Sequence, residues 1–397
     1  MKRFQSLVSA AILGGFVSGS PTSAAASLTS IAQSAVIDTA GRAPSYSSLV
    51  VFGDSLSDVG SYRTPGIAAI GGGQYTVNGT RSANWTELLA RELGLPRPCP
   101  AQTGLEASGP LAFLAAPTEN HPGCLDYAQG GARVTAPIGL ANKALLAQGS
   151  ASGYVGQLTD PVVDQIARYT AESEGEFKGR ELVTVLTGAN DLFMQLATVQ
   201  ATVAAGADAH GAAIAAAAAM DQAGAELAGY LRQQVVAHGA RHVVVVNLPD
   251  VGKTPEAYAQ APATQALITL LATTFNARLS SDLSGTPGVL LVDAFAASQD
   301  HAAHPRRYGL SNVTDPACDL NAMVFPSSLV CSKPGTVIAG DISHYAFADT
   351  VHPTPYGYGL LMRLVTDAMT KAGWLAPIGW RPCRRTTAGC VLTAHDE

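Results

Sequence analysis

The chain has 397 residues, 47% of them hydrophobic and only 14% charged, so it is long and apolar enough to bury a sizeable core. A net charge of −6 argues against nucleic acid, or an anionic membrane held by bulk attraction, as a partner. Removing residues 1–26, which carry Lys2 and Arg3 and no acid, takes the charge to −8 and strengthens that reading.

Those first residues have the order of an export signal. Lys2 and Arg3 precede the apolar stretch 7–17, and small residues lead to Ala24-Ala25-Ala26. The apolar stretch is short for a bilayer span, and no lipoprotein-type cysteine follows, so cleavage and release are expected. Residues 27–46 then form an N-terminal extension. Ser48–Phe52 predicts a first strand, Trp85–Leu93 an amphipathic helix and Leu125–Ala128 a short strand before Gly130-Gly131. Val155–Thr170 is helical in period, and Glu181–Leu186 predicts a strand ending at Thr187-Gly188-Ala189-Asn190-Asp191. An Ala-rich helical region reaches about His238, and Arg241–Leu248 has the clearest pattern of a buried strand. A helix over Thr264–Leu283, a strand at Val289–Val292 and a helix over Tyr356–Ala368 complete the series. Continuous apolar strands separated by helices predict a mainly parallel sheet covered on both faces, in one doubly wound α/β domain.

Three stretches interrupt this rhythm, roughly 60–83, 96–123 and 296–346. Loops of that length in a compact domain serve as lids or pocket walls. Six cysteines in an exported chain suggest disulfides. Proximity favours Cys99–Cys124, Cys318–Cys331 and Cys383–Cys390, one of fifteen pairings, the last stapling a tail over 374–397. The cysteines form no CxxC or Cys/His cluster, and His301-Ala302-Ala303-His304 lacks the glutamate of an HExxH zinc site. No metal and no cofactor is expected; GxxxxGK[ST] and a GxGxxG after a strand are both missing.

Candidate chemistry begins at Ser55. The run VVFGDSLSDVG carries an apolar strand into a small turn, which presents Ser55 at the sheet edge where ligands bind in open α/β sheets. A serine hydroxyl needs a base to become a nucleophile. Asp349 and His352, three residues apart, offer one: the carboxylate fixes the imidazole tautomer and leaves the other nitrogen to take the proton. Asp341 and His344 share the same spacing, but only the later pair leads through Pro353-Thr354 into a helix. A tetrahedral intermediate also needs donors for its oxyanion. The N–H groups of Ser55 and Gly131 and the side-chain amide of Asn190 can supply them, all at ends of predicted strands. Asp54 and Asp191 are read as supports of their turns, and Asn84 and Trp85 as packing of the helix after the first loop.

Ser55, Gly131, Asn190 and His352 stand in order at positions that resemble the four signature blocks of the GDSL (SGNH) hydrolase family, in its secreted bacterial branch of esterases, lipases and lysophospholipases. The stretches TVNGTRSANWTELLA, YAQGGARV, TGANDLF, VVVVNLPDVGKTP and FADTVHPT extend the likeness over roughly 47–373. Ala189 replaces the second glycine of many members, and Ser57 and Asp58 follow a local variant of the first block. The resemblance implies a three-layer α/β/α, flavodoxin-like fold and ester hydrolysis without a cofactor. In it Ser55 is the nucleophile, His352 the general acid/base and Asp349 its orienting partner. Some relatives carry an outer-membrane barrel; 397 residues leave no room for one, so the likeness is to freely secreted members, and a monomer is expected. The implied partners are lipid, lysophospholipid or small acyl or aryl esters, with transient contact to a lipid surface. Acyl transfer to an alcohol and carbohydrate deacetylation would use the same residues, and a binding protein that lost its chemistry is the alternative outside enzymes.

Overall fold

The computed structural model describes residues 45–80, 82–332, 335–376, 385–386 and 389–390. The expected leader over 1–26, nearly all of the 27–46 extension and the bridge involving Cys383 fall outside the described residues.

Strand β1 (Ser48–Gly53) is followed by a short helix α1 (Pro65–Ala69) and by α2 (Trp85–Glu92). A hairpin of β2 (Gln102–Leu105) and β3 (Ala116–Asn120) comes next, then α3 (Val162–Glu172) and β4 (Glu181–Leu186). Helices α4 (Ala189–Ala204) and α5 (Ala209–Tyr230) lead to β5 (Val243–Val246). The short α6 (Pro255–Tyr258) and the long α7 (Pro262–Leu283) lead to β6 (Val289–Val292), and α8 (Ala294–Ala303) and α9 (Pro355–Lys371) follow.

The sheet order is β1-β4-β5-β6, with every pair parallel. On the free side of β1, Val51 donates to Leu125 and accepts from Tyr127, each at 2.9 Å. Counting that segment second gives the doubly wound order 2-1-3-4-5, in which a ligand crevice forms beyond the carboxyl ends beside β1. The strands are apolar on both sides because both faces are covered. Val50, Phe52, Val183, Val185, Val243 and Val245 join one core with α3, α5 and α7. Leu49, Val51, Leu182, Val244 and Val246 join the other with α2 and α9. The result is the three-layer α/β/α arrangement anticipated from the sequence.

Four local readings are corrected. The 125–128 segment makes a single parallel bridge to β1 rather than a strand, with Asp126 at its centre. The helix expected from Val155 starts at Val162, because Pro161 disfavours helical backbone in the residue before it. The Ala-rich region breaks into α4 and α5 at Gly206, and Asp208 caps α5 by accepting from the Gly211 N–H at 2.7 Å. The three long loops are not structureless: α1 lies in the first, the β2–β3 hairpin in the second and most of α8 in the third.

Two of the three anticipated disulfides are formed, Cys99–Cys124 and Cys318–Cys331. The first pins the segment beside β1. The second closes a loop that packs under the residues carrying Asp349. At the amino ends of the strands, the Tyr46 hydroxyl donates to the Trp374 carbonyl at 2.9 Å, and His242 sits edge-on to both rings. Entry to and exit from the domain therefore meet at the edge opposite Ser55.

Candidate active site

β1 delivers Ser55 through a turn held from several directions. Gln165 on α3 reaches the backbone of Gly53, donating to its carbonyl at 2.9 Å and accepting from its N–H at 2.8 Å. Asp54 accepts from the Leu56 N–H at 3.0 Å. Its second carboxylate oxygen is buried with no hydrogen-bond partner, and burial pushes the carboxyl up to about 7. Asp58 binds the N–H groups of Gly60 and Ser61 with one oxygen and that of Gly130 with the other, tying the Ser55 turn to the Gly130-Gly131 turn. Asn84 caps α2 in a capping box with Glu87 and donates to the Ser57 carbonyl, while the Trp85 indole donates to the Ser57 hydroxyl. Read from the sequence as packing of the helix after the first loop, these two residues also brace the first block through Ser57.

The Ser55 hydroxyl lies 2.8 Å from Nε2 of His352, 297 residues away in the chain. Nδ1 of His352 is 2.8 Å from one carboxylate oxygen of Asp349 and 3.0 Å from the other. That carboxylate also accepts from the N–H groups of Val351, His352 and Ser328 at 2.7–2.9 Å. Burial opposes its charge, but the neighbouring imidazole and these donors outweigh burial and hold it well below the usual carboxylate range. Asp349 is therefore an anion aimed at Nδ1, which leaves Nε2 to accept from serine. The rival pair is elsewhere engaged: Asp341 accepts from the Ser343 N–H, and His344 meets the Ser343 hydroxyl and the Tyr356 ring.

Gly131 has φ of +82°, and a side chain there would strike the Leu140 carbonyl at 2.5 Å. The turn thus needs glycine, and among the described residues no acceptor takes the N–H of Gly131 or of Ser55. Asn190, in the first turn of α4, is buried and donates one amide hydrogen to the Ala132 carbonyl at 2.8 Å. Its second hydrogen is left for another acceptor, and the helix terminus adds positive potential there. Asp191, beside it, binds Arg133 and the Val134 N–H, each at 2.9 Å, which fixes the start of α4 against the Gly131 segment. Burial raises its carboxyl and Arg133 offsets part of that rise.

The sequence reading missed several supporting residues. Tyr75 lies against the His352 ring, with centroids 4.8 Å apart and planes 32° apart. Its hydroxyl sits 2.6 Å from the Gln157 side-chain amide, whose satisfied orientation accepts from Tyr75 and donates to the Leu140 and Gly130 carbonyls. A Cβ at residue 130 would lie 2.0 Å from that hydroxyl, so glycine is what lets Tyr75 in. Tyr62 donates to the Gly130 carbonyl at 2.7 Å. Ser328 reaches Asp349 through its backbone, which no side-chain pattern announces. Asp58 alone left a signal, standing within the first block.

His301 packs on Tyr308, and His304 bonds Asp300 at 2.7 Å, so the two go to different partners. Among the described residues no group of three or more His, Cys, Asp or Glu could hold a metal ion, and no helix is long and apolar enough to cross a membrane.

The GDSL-like lipase/acylhydrolase family model matches residues 49–365. Two proteins called Esterase EstA, from Pseudomonas aeruginosa and Pseudomonas putida, are each 30% identical over 358 residues, covering 84% of this chain and 48% of their own length. The chain thus spans about half the length of these curated relatives. With the family pattern matched from β1 to α9, the chain belongs to the GDSL-like lipase/acylhydrolase family.

Proposed function

We propose that the chain is an exported serine hydrolase of carboxylic esters that works through an acyl-enzyme on Ser55. The observation that carries this reading is the unbroken hydrogen-bonded line from the Ser55 hydroxyl through His352 to Asp349. His352 removes the serine proton as the oxygen attacks the ester carbonyl. The carbonyl oxygen becomes an oxyanion facing the N–H groups of Ser55 and Gly131 and the amide of Asn190. The intermediate collapses by breaking the bond to the alcohol oxygen, to which His352 returns the proton. Water then repeats the sequence: His352 takes one proton, the hydroxyl oxygen joins the acyl carbon, and serine leaves with the proton from His352. Asp349 stays ionised throughout and stabilises the imidazolium.

A single catalytic unit over 47–373, preceded by a leader over 1–26, accompanies this reading. The Cys99–Cys124 and Cys318–Cys331 bridges support an oxidising compartment outside the cytoplasm. The test is ester hydrolysis by purified wild-type and Ser55→Ala protein, with labelling of the serine by a fluorophosphonate. Loss of both turnover and labelling, with the circular dichroism spectrum kept, is expected. Turnover that survives the substitution would refute the assignment.

A further inference from the structure

A recessed apolar cavity of about 140 Å³ adjoins the catalytic residues, on the side of the sheet edge beyond β5 and β6. Its near wall is made of their chain neighbours. Leu56 follows Ser55, Ala189 precedes Asn190, and Val351 and Pro353 flank His352. From there it runs between two helices. Ala294, Ala297, Ser298, His301 and Ala302 line it from α8, at the spacing of one helix face. Gly357, Leu360, Leu361 and Leu364 face it from α9 in the same way. At 1.5 Å per residue those faces are roughly 10–12 Å long.

Three of the polar side chains on its wall are turned to other duties. The Asp250 carboxylate accepts from the Gly252 N–H, Thr269 and Gln299. The Ser298 hydroxyl donates to the Phe295 carbonyl and accepts from the Asp250 N–H, and Thr254 donates to the Val251 carbonyl. What remains for an occupant is mostly methyl and methylene surface, with the Lys253 side chain and the His301 ring, which packs on Tyr308, also among the lining, so water gains little there and a hydrocarbon gains much.

We infer that this cavity holds the acyl chain of the ester substrate and selects straight chains of medium length. The inference rests on the reading of Ser55 as the nucleophile. The acyl group stays bonded to Ser55 through both half-reactions, so it suits a recess lined on several sides. The alcohol must depart and water must take its place, which calls for a route open to solvent. A cavity of about 150 Å³ admits benzene, so this one takes roughly six carbons beyond the reacting carbonyl. Acetyl esters leave it empty, and palmitoyl esters overrun it.

The test is kcat/KM over p-nitrophenyl esters from acetate to palmitate, for wild-type and Ala297→Trp protein, with octanoate binding to Ser55→Ala protein measured by calorimetry. For wild type, kcat/KM rises roughly threefold to fourfold per added methylene up to about six to eight carbons and then falls. Ala297→Trp lowers the octanoate-to-acetate ratio by at least about tenfold and weakens octanoate binding measured in the Ser55→Ala background. Leu360→Ala, which removes side-chain volume instead of adding it, moves the optimum to longer chains. A flat acyl series would overturn the inference, as would a preference confined to the alcohol half in a series of alkyl acetates, or a ratio insensitive to both cavity variants. Turnover surviving Ser55→Ala would instead sink the nucleophile reading, and the identity of the occupant with it.

Discussion

The Tyr75 ring lies against the imidazole of His352 at 4.8 Å while its hydroxyl fills the space that Gly130 leaves open. One buried side chain therefore touches both the His352 imidazole and the turn that carries Gly131. Tyr75→Phe keeps the ring and loses only the bond to Gln157, so kcat falls by no more than a few-fold. Tyr75→Leu lets the imidazole shift and costs about 10²-fold in kcat, the scale of a misplaced catalytic group. Steady-state kinetics beside a thermal melt separates this loss from unfolding.

Asn190→Ala removes the amide hydrogen available to the oxyanion. A loss of about 10²–10³ in kcat, roughly 3–4 kcal/mol, follows with KM nearly unchanged. A large rise in KM at constant kcat would mean that Asn190 binds substrate rather than the transition state.

Asp349→Asn leaves the shape of the site but no longer anchors the Nδ1–H tautomer, and kcat drops by about 10⁴-fold. His344→Ala, on the rival spacing, leaves kcat within about twofold. Measuring both variants on one ester decides which Asp-x-x-His pair serves Ser55.

The Cys318–Cys331 bridge closes the loop containing Ser328, whose N–H holds Asp349. Cys318→Ser with Cys331→Ser lowers stability by about 3 kcal/mol, as expected for a loop of this length. It also lowers kcat at temperatures where the fold persists. Denaturant titrations and kinetics at two temperatures read the two effects separately.

Asp54 and Asp349 give stability opposite dependences on pH. The Asp54 carboxyl is raised in the folded state, so its contribution is fully present below about pH 4 and is lost as pH rises through about 7. Asp349 is lowered, so its contribution is present above about pH 4 and is lost on acidification through its depressed value. Replacing Asp54 by Asn therefore gives a variant whose stability relative to wild type improves between pH 4 and 8. Urea titrations across that range check the sign.

Much of the site was legible because each signature residue follows a local pattern. Ser55 and Asn190 follow apolar runs that end in small residues, and His352 lies three residues from a carboxylate just before a proline-started helix. What stayed hidden depends on contacts across the fold. Tyr75 meets His352 only because the first long loop folds back across the site, and Ser328 acts through a backbone N–H that any residue but proline would offer. The helix expected from Val155 fails for a readable reason, Pro161, which its periodicity masked. The long loops were marked as pocket walls, yet from the first two no residue lines the apolar cavity, while the third does so mainly through α8. The cavity proposed to hold the acyl chain is therefore made by helix packing that sequence periodicity alone does not locate.

The meeting of Tyr46 and Trp374 at the amino edge of the sheet gives the molecule a handle. Six residues of β1 put roughly 20 Å between that edge and Ser55. Tethering the protein to a bead near Tyr46 and Trp374 would therefore leave the Ser55 side facing outward.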